Sequence, residues 1–444
     1  MPLQNETGNR DPSTPAVPQS GTASAQDDTF RDIKTLLYTS AAKYDGEAWM
    51  RGGERFPAGG QVMVRTGADS RLLVAGFAAT ADANVSFDGT RVLFAGKKTA
   101  REPWQIWETA VGGEAKKITS CTSDCMRPFY LPGDRVVYAQ KMQGRWGLQS
   151  AGLDGGSPLQ LSYAPGNALP TDVLRDGRIL FEAAYPIGSG AAPEIYTVYS
   201  DGSGVEAYRC DHGTRRQAGK QAASGDIVFT SEHGLGRFTS ALAKQVEMKA
   251  PAGEYADDAL QVSADEFVVA WRPDAKAMYS LQNWNSATGA FVTLVASEAS
   301  LVEPAVVAPR AVPNQHPSGL HEWKYANLLC LNAYTAKNKI APGSVAAVKL
   351  YTTDERGKAR LLGTSPVEDD GSFYVQVPGD NPLQIELLDA KGKTLQRERG
   401  WWWARAGEQR ICVGCHAGPE RAPENALPQV LVNSIKPVAM TGKQ

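Results

Sequence analysis

The feature that most constrains the fold of this chain is a turn-and-strand unit that recurs over its first two thirds. In most copies an aspartate lies in a glycine-containing turn, and a short apolar strand follows it. The aspartates are separated by 46, 42, 50 and 39 residues, and they are Asp88, Asp134, Asp176, Asp226 and Asp265. Apolar runs bounded by Asp-Gly turns are a strong short-range hairpin signal. With 44 glycines and 27 prolines among 444 residues, the composition also predicts many short strands.

Hairpins follow several of these aspartates, which makes each repeat a four-stranded unit. Their strands are Gln105–Ala110 with Lys117–Thr119, Trp146–Gly152 with Leu159–Ser162, and Ile195–Ser200 with Val205–Tyr208. Four strands every ~40 to 50 residues are typical of a propeller blade. Five units lie between residues 84 and 299, and strands at Leu36–Ser40, Gln61–Arg65 and Arg71–Ala75 indicate a sixth. The alternative is another all-β architecture with coincidental spacing.

The sequence therefore predicts an all-β protein that begins with a six-bladed β-propeller over residues 34–310. Its repeats resemble those of TolB-like propellers, and Thr35–Thr39 is a candidate for the strand that closes the ring. A Pro-rich connector is expected at 311–325. A small β-sandwich at 326–399, which resembles transthyretin-like domains, is predicted from strands at Ala346–Tyr351, Arg360–Leu362, Ser372–Val377 and Leu383–Leu388. Residues 400–444 then form a C-terminal segment and tail.

Charge and hydropathy exclude several classes of partner. The 46 Lys and Arg residues nearly balance the 48 Asp and Glu residues, so the net charge of −2 argues against nucleic acid as a partner. No run reaches the ~18 to 20 apolar residues of a transmembrane helix. Residues 1–33 lack the composition of a folded segment and are expected to be a disordered tail. No signal peptide is visible, and the tail fits either the mature end of an exported protein or a lipoprotein tether.

The segment that indicates chemistry is Cys412-Val413-Gly414-Cys415-His416, a c-type haem attachment sequence. Two thiols at this spacing add to the two vinyl groups of one porphyrin, and the adjacent histidine binds the iron. We therefore predict one covalent haem c, attached at Cys412 and Cys415, with His416 as the proximal iron ligand. Trp401 in the run Trp401–Trp403 offers an aromatic surface to the macrocycle, and Arg405 and Arg410 are candidates to pair with the propionates.

Two other readings of the motif compete with haem. A C-x-x-C pair is half of a zinc site, but none of Cys121, Cys125, Cys210 and Cys330 supplies a second pair at that spacing. A redox dithiol normally opens a helix in a βαβ unit, which this chain does not predict.

The combination of propeller, sandwich and Gly400–His416 segment resembles the hydrazine synthase alpha-subunit-like family over roughly residues 34–430. The resemblance implies an architecture more than a reaction. It implies a haem-dependent oxidoreductase if the chain is an enzyme. Because the sequence holds a single haem motif, we do not expect hydrazine synthesis itself.

The sixth position of the iron has several candidate ligands. His316 in the connector is the leading candidate for the sixth ligand, and His321 and Met440 are alternatives. If the sixth position is open, catalysis is favoured over electron transfer. His212 and His233 are expected to be solvated polar residues, and Glu420 and Glu424 to be surface carboxylates.

The remaining cysteines fit an oxidising compartment. Cys121 and Cys125 are close enough to bridge across a turn, whereas Cys210 and Cys330 are either a second bridge or buried thiols.

From these features we expect an exported protein, periplasmic or on the cell surface, with one haem c and a redox partner. It would act in electron transfer or haem-based redox chemistry. The alternative is a propeller that binds protein, peptide or glycan, with a structural or sensory haem.

Overall fold

The computed structural model describes residues 34–184, 192–209, 213–241, 243–256, 259–336, 339–354, 357–398, 400–414, 426–440 and 442. Strands dominate this part of the chain. Helical structure in it is confined to a 3-10 turn at Ala48–Arg51 and a single short α-helix, α1, at Gln429–Asn433. The all-β class predicted from the repeats is confirmed.

Six antiparallel sheets form the blades of the propeller. The first blade takes β1 (Thr35–Ala41), β2 (Gln61–Thr66) and β3 (Asp69–Leu72) from the start of the described chain. Blade 2 holds β4 (Ala79–Val85), β5 (Arg91–Lys97), β6 (Gln105–Ala110) and β7 (Lys116–Lys117), and blade 3 holds β8 (Cys125–Leu131), β9 (Arg135–Met142), β10 (Arg145–Gly152) and β11 (Leu159–Gln160).

The next three blades continue the same pattern. Blade 4 holds β12 (Asn167–Val173), β13 (Ile179–Ala184), β14 (Glu194–Val198) and β15 (Glu206–Ala207), and blade 5 holds β16 (Arg216–Gln221), β17 (Ile227–Ser231), β18 (Gly234–Phe238) and β19 (Val246–Glu247). Blade 6 holds β20 (Glu254–Tyr255), β21 (Leu260–Gln261), β22 (Glu266–Arg272), β23 (Ser280–Asn285) and β24 (Phe291–Val295).

The ring closes through the first strand, for which Thr35–Thr39 was the candidate in the sequence. Strand β25 (Ser300–Val306) pairs antiparallel with β1, so the first blade joins three strands from one end of the domain with one from the other. This pairing satisfies backbone groups that an open ring would leave at two exposed sheet edges.

The repeated aspartates lie in the turns between the first and second strands of blades 2 to 6. In two of these turns the carboxylate organises its own turn: Asp88 Oδ1 accepts from the Thr90 backbone N–H at 3.0 Å, and Asp176 Oδ1 from the Arg178 N–H at 3.0 Å. Gly177 in the second turn has a φ of 89°, which a residue with a Cβ rarely adopts. The repeat in the sequence is therefore a repeat of turn chemistry.

Most first strands of the blades contain a register shift, at which a non-glycine residue often takes a positive φ. Glu303, Asp82 and Arg127 in blades 1, 2 and 3 have φ values of 59°, 58° and 55°. The shifted residues link neighbouring blades. Glu303 Oε2 accepts from the Asp82 N–H at 2.8 Å, and Asp82 Oδ2 accepts from the Arg127 N–H at 3.1 Å. These bulges turn carboxylates toward the next blade.

A buried ion-pair cluster forms at these shifts. Arg55 contacts both carboxylates, with Nη1 at 2.7 Å from Asp82 Oδ1 and Nη2 at 2.6 Å from Glu303 Oε1. Thr39 on β1 donates to Glu303 Oε2 at 2.8 Å. The cluster thus joins the closing strand pair to blade 2, and its charges are compensated within the protein.

The two carboxyl groups of the cluster titrate in opposite directions. Burial raises the pKa of Asp82, and the adjacent Glu303 carboxylate raises it further, against the effect of Arg55. Burial also opposes ionisation of Glu303. The charge of Arg55, the hydrogen bond with Asp82 and the charge of Arg127 nevertheless hold the pKa of Glu303 below its ordinary value.

A connector leads from the propeller to the second domain over the face that carries the aspartate turns. The backbone N–H of Arg310 donates to Phe87 O in blade 2 at 2.8 Å, and that of Asn314 donates to Arg175 O in blade 4 at 2.8 Å. Ser318 Oγ donates to Asp201 Oδ2 at 2.7 Å. The connector is therefore held to the propeller by hydrogen bonds at several blades.

The second domain packs two sheets around one apolar core. Its strands are β26 (Tyr325–Cys330), β27 (Ala347–Thr353), β28 (Ala359–Pro366), β29 (Phe373–Pro378), β30 (Asn381–Leu388), β31 (Thr394–Arg397), β32 (Trp402–Ala404), β33 (Gln409–Cys412) and β34 (Val438–Ala439). One sheet has the order β33-β26-β29-β34 and the other the order β28-β27-β30-β31, with β32 also paired to β30. Buried Leu328 and Val375 from the first sheet meet Leu350 and Leu383 from the second.

The strands predicted for the sandwich are present at β27 to β30. The segment after residue 400 is built into the same sheets, because β32 and β33 pair with β30 and β26. The haem-motif strand is thus part of the sandwich, whereas the sequence alone indicated a separate segment.

Replacing Asp82 with Asn tests the protonated state of this carboxyl group. Its raised pKa means that the folded protein holds a proton that the unfolded chain, with an ordinary pKa of 3.8, has lost at neutral pH. The stability that the protonated Asp82 side chain contributes is fully present at acidic pH and is lost as pH rises through the raised pKa of Asp82. We expect the free energy of unfolding, measured in urea at a series of pH values, to fall with rising pH in the wild type and to fall less steeply in Asp82→Asn.

Asp82→Ala is the matched control. It removes the hydrogen bonds and places alanine at a positive φ that Asn tolerates better. It should therefore be less stable than Asp82→Asn at every pH. An Asn variant with the same pH slope as the wild type would contradict a protonated Asp82.

Candidate functional site

The first cysteine of the haem motif ends a strand of the sandwich. Strand β33 lies parallel to β26, with Cys412 paired in register with Cys330. The Leu331 backbone N–H donates to Cys412 O at 2.9 Å, so the two chains stay together beyond the paired residues. Cys415 and His416, the other predicted members of the motif, lie outside the described residues, as do Glu420 and Glu424.

A cavity of about 400 Å³ lies between this strand and the outer edge of blade 4. The propeller wall consists of Tyr196 and the residues Gly204–Ala207. The sandwich wall includes Leu328, Cys330 and Phe373, and the remaining lining comes largely from Trp401, Trp402 and residues 408–414. Both domains therefore contribute to the lining of the cavity, which is mainly apolar and aromatic. Cys412 is one of the lining residues.

The tryptophan run divides between the cavity and the propeller. Trp401 and Trp402 line the cavity, and Trp402 Nε1 donates to Glu398 Oε2 at 2.8 Å. Trp403 faces the other way, as neighbouring residues on a strand do. It is fully buried among propeller side chains, and its Nε1 donates to Gly202 O at 2.9 Å. Trp401 thus lines the cavity, while Trp403 holds the two domains together.

Arg405, predicted to pair with a propionate, lies at the domain interface instead of among the cavity-lining residues. Its Nε is 2.6 Å from Asp380 Oδ1 in the sandwich, and its Nη1 donates to Asp201 O in blade 4. The guanidinium also lies 5.2 Å from the ring centroid of Tyr163. The Asp380 carboxylate and the Asp201 carbonyl explain this location, because they compensate the charge of Arg405 and accept hydrogen bonds from its guanidinium.

Arg410 is the arginine that lines the cavity. Its Nη2 donates to Val205 O on the propeller wall at 2.6 Å, and its guanidinium lies 5.0 Å from the ring centroid of Trp402. Burial disfavours its charge, but Cys412 and Glu408 raise the pKa of Arg410 above its ordinary value. The positive charge of Arg410, 3.7 Å from Glu408 Oε1, therefore lies in the cavity wall two residues before Cys412.

The predicted sixth ligands are placed elsewhere in the structure. The His316 ring stacks on Tyr199 with centroids 3.9 Å apart, and the His321 ring lies 5.6 Å from Trp323. Met440 is buried in the sandwich core, and its backbone N–H donates to Gln376 O at 2.8 Å. None of the three is among the residues that line the cavity.

Sequence reasoning missed Cys330 as a neighbour of the motif and blade 4 as a wall of the site. The signal for blade 4 was partly visible, because the hairpin around Asp201-Gly202 was predicted. Its contact with Trp403 depends on how the domains pack, which no local pattern records. The Cys121–Cys125 bridge, by contrast, was foreseen from the spacing and is present, with Cα atoms 6.4 Å apart. Cys210 and His212 lie outside the described residues.

Two features are absent from the described part of the chain. Within it, no helix has the length and apolar composition needed to cross a membrane. Among the same residues, no three His, Cys, Asp or Glu side chains come together as a metal site, and the proposed iron ligand His416 is not one of these residues.

The fold and the site define a class of protein: a six-bladed propeller joined to a β-sandwich that carries a Cys-x-x-Cys-His segment. Comparison with known proteins shows what this class resembles. Residues 330–417 match the family described as the hydrazine synthase alpha subunit middle domain. This part of the chain therefore has the middle domain of an alpha-subunit-like protein, and the chain as a whole is similar in fold to hydrazine synthase.

Individual proteins are similar to the chain over different spans. The hydrazine synthase subunit alpha of Kuenenia stuttgartiensis is 38% identical over 61 residues, which are 14% of this chain and 8% of that protein. A solved structure of Kuenenia stuttgartiensis hydrazine synthase aligns with a TM-score of 0.76 and 16% identity over 90% of this chain and 72% of that one. The putative TolB from Agrobacterium tumefaciens aligns with a TM-score of 0.44 and 14% identity over 59% of this chain and 88% of that one.

The domain contact can be tested by truncating Trp403. Because this side chain is fully buried between the domains, Trp403→Ala should lower the free energy of unfolding by about 3 to 5 kcal/mol in denaturant titrations. Trp323→Ala is the matched control, because Trp323 is 58% exposed and its loss should change stability by about 0.5 kcal/mol or less. Equal losses in the two variants would show that Trp403 does not hold the domains together.

Proposed function

We propose that the chain is an exported monohaem c-type protein that acts in electron transfer or haem-based redox chemistry. The observation that carries this proposal is the position of Cys412, the first cysteine of the attachment motif, in the wall of the aromatic cavity between propeller and sandwich. Cys412 and Cys415 would hold the group covalently, and His416 would be its iron ligand.

The residues of the cavity fit such a group. Its volume of about 400 Å³ lies within the ~300 to 1,000 Å³ range of ligand pockets. The indoles of Trp401 and Trp402 offer flat apolar surfaces, and Leu328 and Phe373 close the sandwich side. Arg410 is suited to pair with a propionate because it lies in the cavity wall. Arg405 is not available for this role, since its guanidinium binds Asp380 at the domain interface.

The protein's own residues determine how the site works. When bound, a haem supplies one-electron transfer between ferric and ferrous iron. The apolar and aromatic parts of the wall lower the local dielectric. Arg410 places a positive charge in that environment, held by Val205 O and by the face of Trp402. Low dielectric and a nearby cation favour the less positive, reduced state.

The cellular setting follows from the same chemistry and remains part of the proposal. Covalent haem attachment and the Cys121–Cys125 bridge both fit an oxidising compartment outside the cytoplasm. A protein partner is expected, since the curated relative is by name a subunit. The reaction of that relative is not transferred to this chain, because the match to it spans 8% of its length.

The first test is attachment itself. The protein, expressed with a cytochrome c maturation system, should show a c-type pyridine haemochrome spectrum and an intact mass increased by one haem. Cys415→Ala should weaken or abolish both signals. The double variant Cys121→Ser with Cys125→Ser is the control, because those cysteines form a separate bridge, and it should keep the haem. A colourless wild type of apoprotein mass would refute the redox function.

The second test concerns Arg410. Removing its charge with Arg410→Gln should lower the reduction potential, on the order of tens of millivolts for one partly screened charge nearby. Arg410→Lys keeps the charge and should stay closer to the wild type. Redox titration followed by visible absorbance measures both variants. Equal reduction potentials in the Arg410→Gln, Arg410→Lys and wild-type proteins would show that the charge of Arg410 does not act on the haem.

A further inference from the structure

We propose that Cys330 is a redox partner of the attachment cysteine, forming a disulfide with Cys412 that blocks haem attachment until it is reduced. The proposal starts from the register of two neighbouring strands. Cys330 and Cys412 are directly paired between parallel strands β26 and β33. Adjacent strands lie ~4.8 Å apart, and disulfides join residues whose Cα atoms are roughly 4.4 to 6.8 Å apart.

The two side chains share one side of the sheet. Paired residues of neighbouring strands project to the same face, and both cysteines line the cavity between the domains. The hydrogen bond from Leu331 N–H to Cys412 O and the paired residues before it hold the backbones in this register. Formation of the bridge therefore needs rotation of side chains and little movement of the backbone.

The environments of the two cysteines favour an ordered reaction. Cys412 is partly accessible, whereas Cys330 is buried with an exposed fraction of 1%. Arg410 precedes Cys412 by two residues, so it projects to the same face, and it also lines the cavity. A nearby guanidinium stabilises a thiolate, which is the attacking form of cysteine.

The oxidant is an external disulfide, either a small molecule or a dithiol oxidase. The Cys412 thiolate attacks one of its sulfur atoms and releases the other as a thiolate, which takes up a proton. The Cys330 thiol then loses its proton and attacks the Cys412 sulfur of the mixed disulfide. The Cys330–Cys412 bond forms, and the second external thiol leaves. Two protein thiols are oxidised, and one external disulfide is reduced to two thiols.

The consequence for the site rests on the proposed function. Thioether formation needs a thiol at Cys412, and a sulfur held in a disulfide cannot add to a vinyl group. Cys330 would thus make haem attachment depend on a thiol reductant.

Disulfide mapping tests the bond without any haem. Apoprotein made without a maturation system is treated with oxidised glutathione, its thiols are alkylated, and it is digested without reductant for mass spectrometry. We expect a peptide linked through Cys330 and Cys412 as the main cross-link of Cys412. The Cys121–Cys125 bridge in the same digest shows that oxidation and recovery succeeded. Full alkylation of Cys330, or Cys412 linked mainly to Cys415, would overturn the proposal.

A variant series measures the consequence. Maturation of the wild type should yield several-fold less haem-bearing protein without a thiol reductant than with one. Cys330→Ser, checked for folding by circular dichroism, should attach haem equally in both conditions. Equal reductant dependence in the wild type and in Cys330→Ser would overturn the blocking role. Absence of haem in every sample would refute the proposed function instead, and the mapping result would still decide the disulfide.

Discussion

The pairing of β25 with β1 is the interaction on which the rest of the structure depends. It closes the ring of blades, and it places Glu303 on the closing strand beside Thr39 on the first one. From there the Glu303 carboxylate reaches the backbone of Asp82 and the side chain of Arg55, which ties the closure to blade 2. A ring without free edges holds blade 4 at a defined position, and blade 4 supplies one wall of the cavity.

The site belongs to neither domain alone. The sandwich provides Cys330, Cys412 and the tryptophans, and the propeller provides the opposite wall. Trp403 and Arg405 hold these parts together by donating to the carbonyls of Gly202 and Asp201 in one turn of blade 4. This turn joins β14 to β15, the two outer strands of blade 4, so an outer hairpin of the propeller serves as the docking point for the second domain.

Much of the fold could be predicted because its signals are local. Asp-Gly turns impose hairpins through backbone dihedrals and short hydrogen bonds, and the strands that follow them are short apolar runs. The first strands of the blades were harder to recognise. Residues such as Asp82 and Arg127 interrupt their register, so the apolar run that predicts a strand is broken there. The strands β32 and β33 were missed for another reason: both are short and gain their partners only from distant parts of the chain.

By itself the sequence determined the repeat and its all-β class, and it indicated a candidate closing strand, a possible Cys121–Cys125 bridge and the Cys-x-x-Cys-His motif. All of these depend on residues close together in the chain or on a pattern repeated along it. Only the tertiary structure decided that Arg410 lines the cavity while Arg405 joins the domains, and that Cys330 lies beside Cys412. Such contacts come from parallel strand pairing and domain packing between segments that are distant in the chain. They are stabilised by the free energy of burying apolar surface when the whole chain folds, which no local pattern contains.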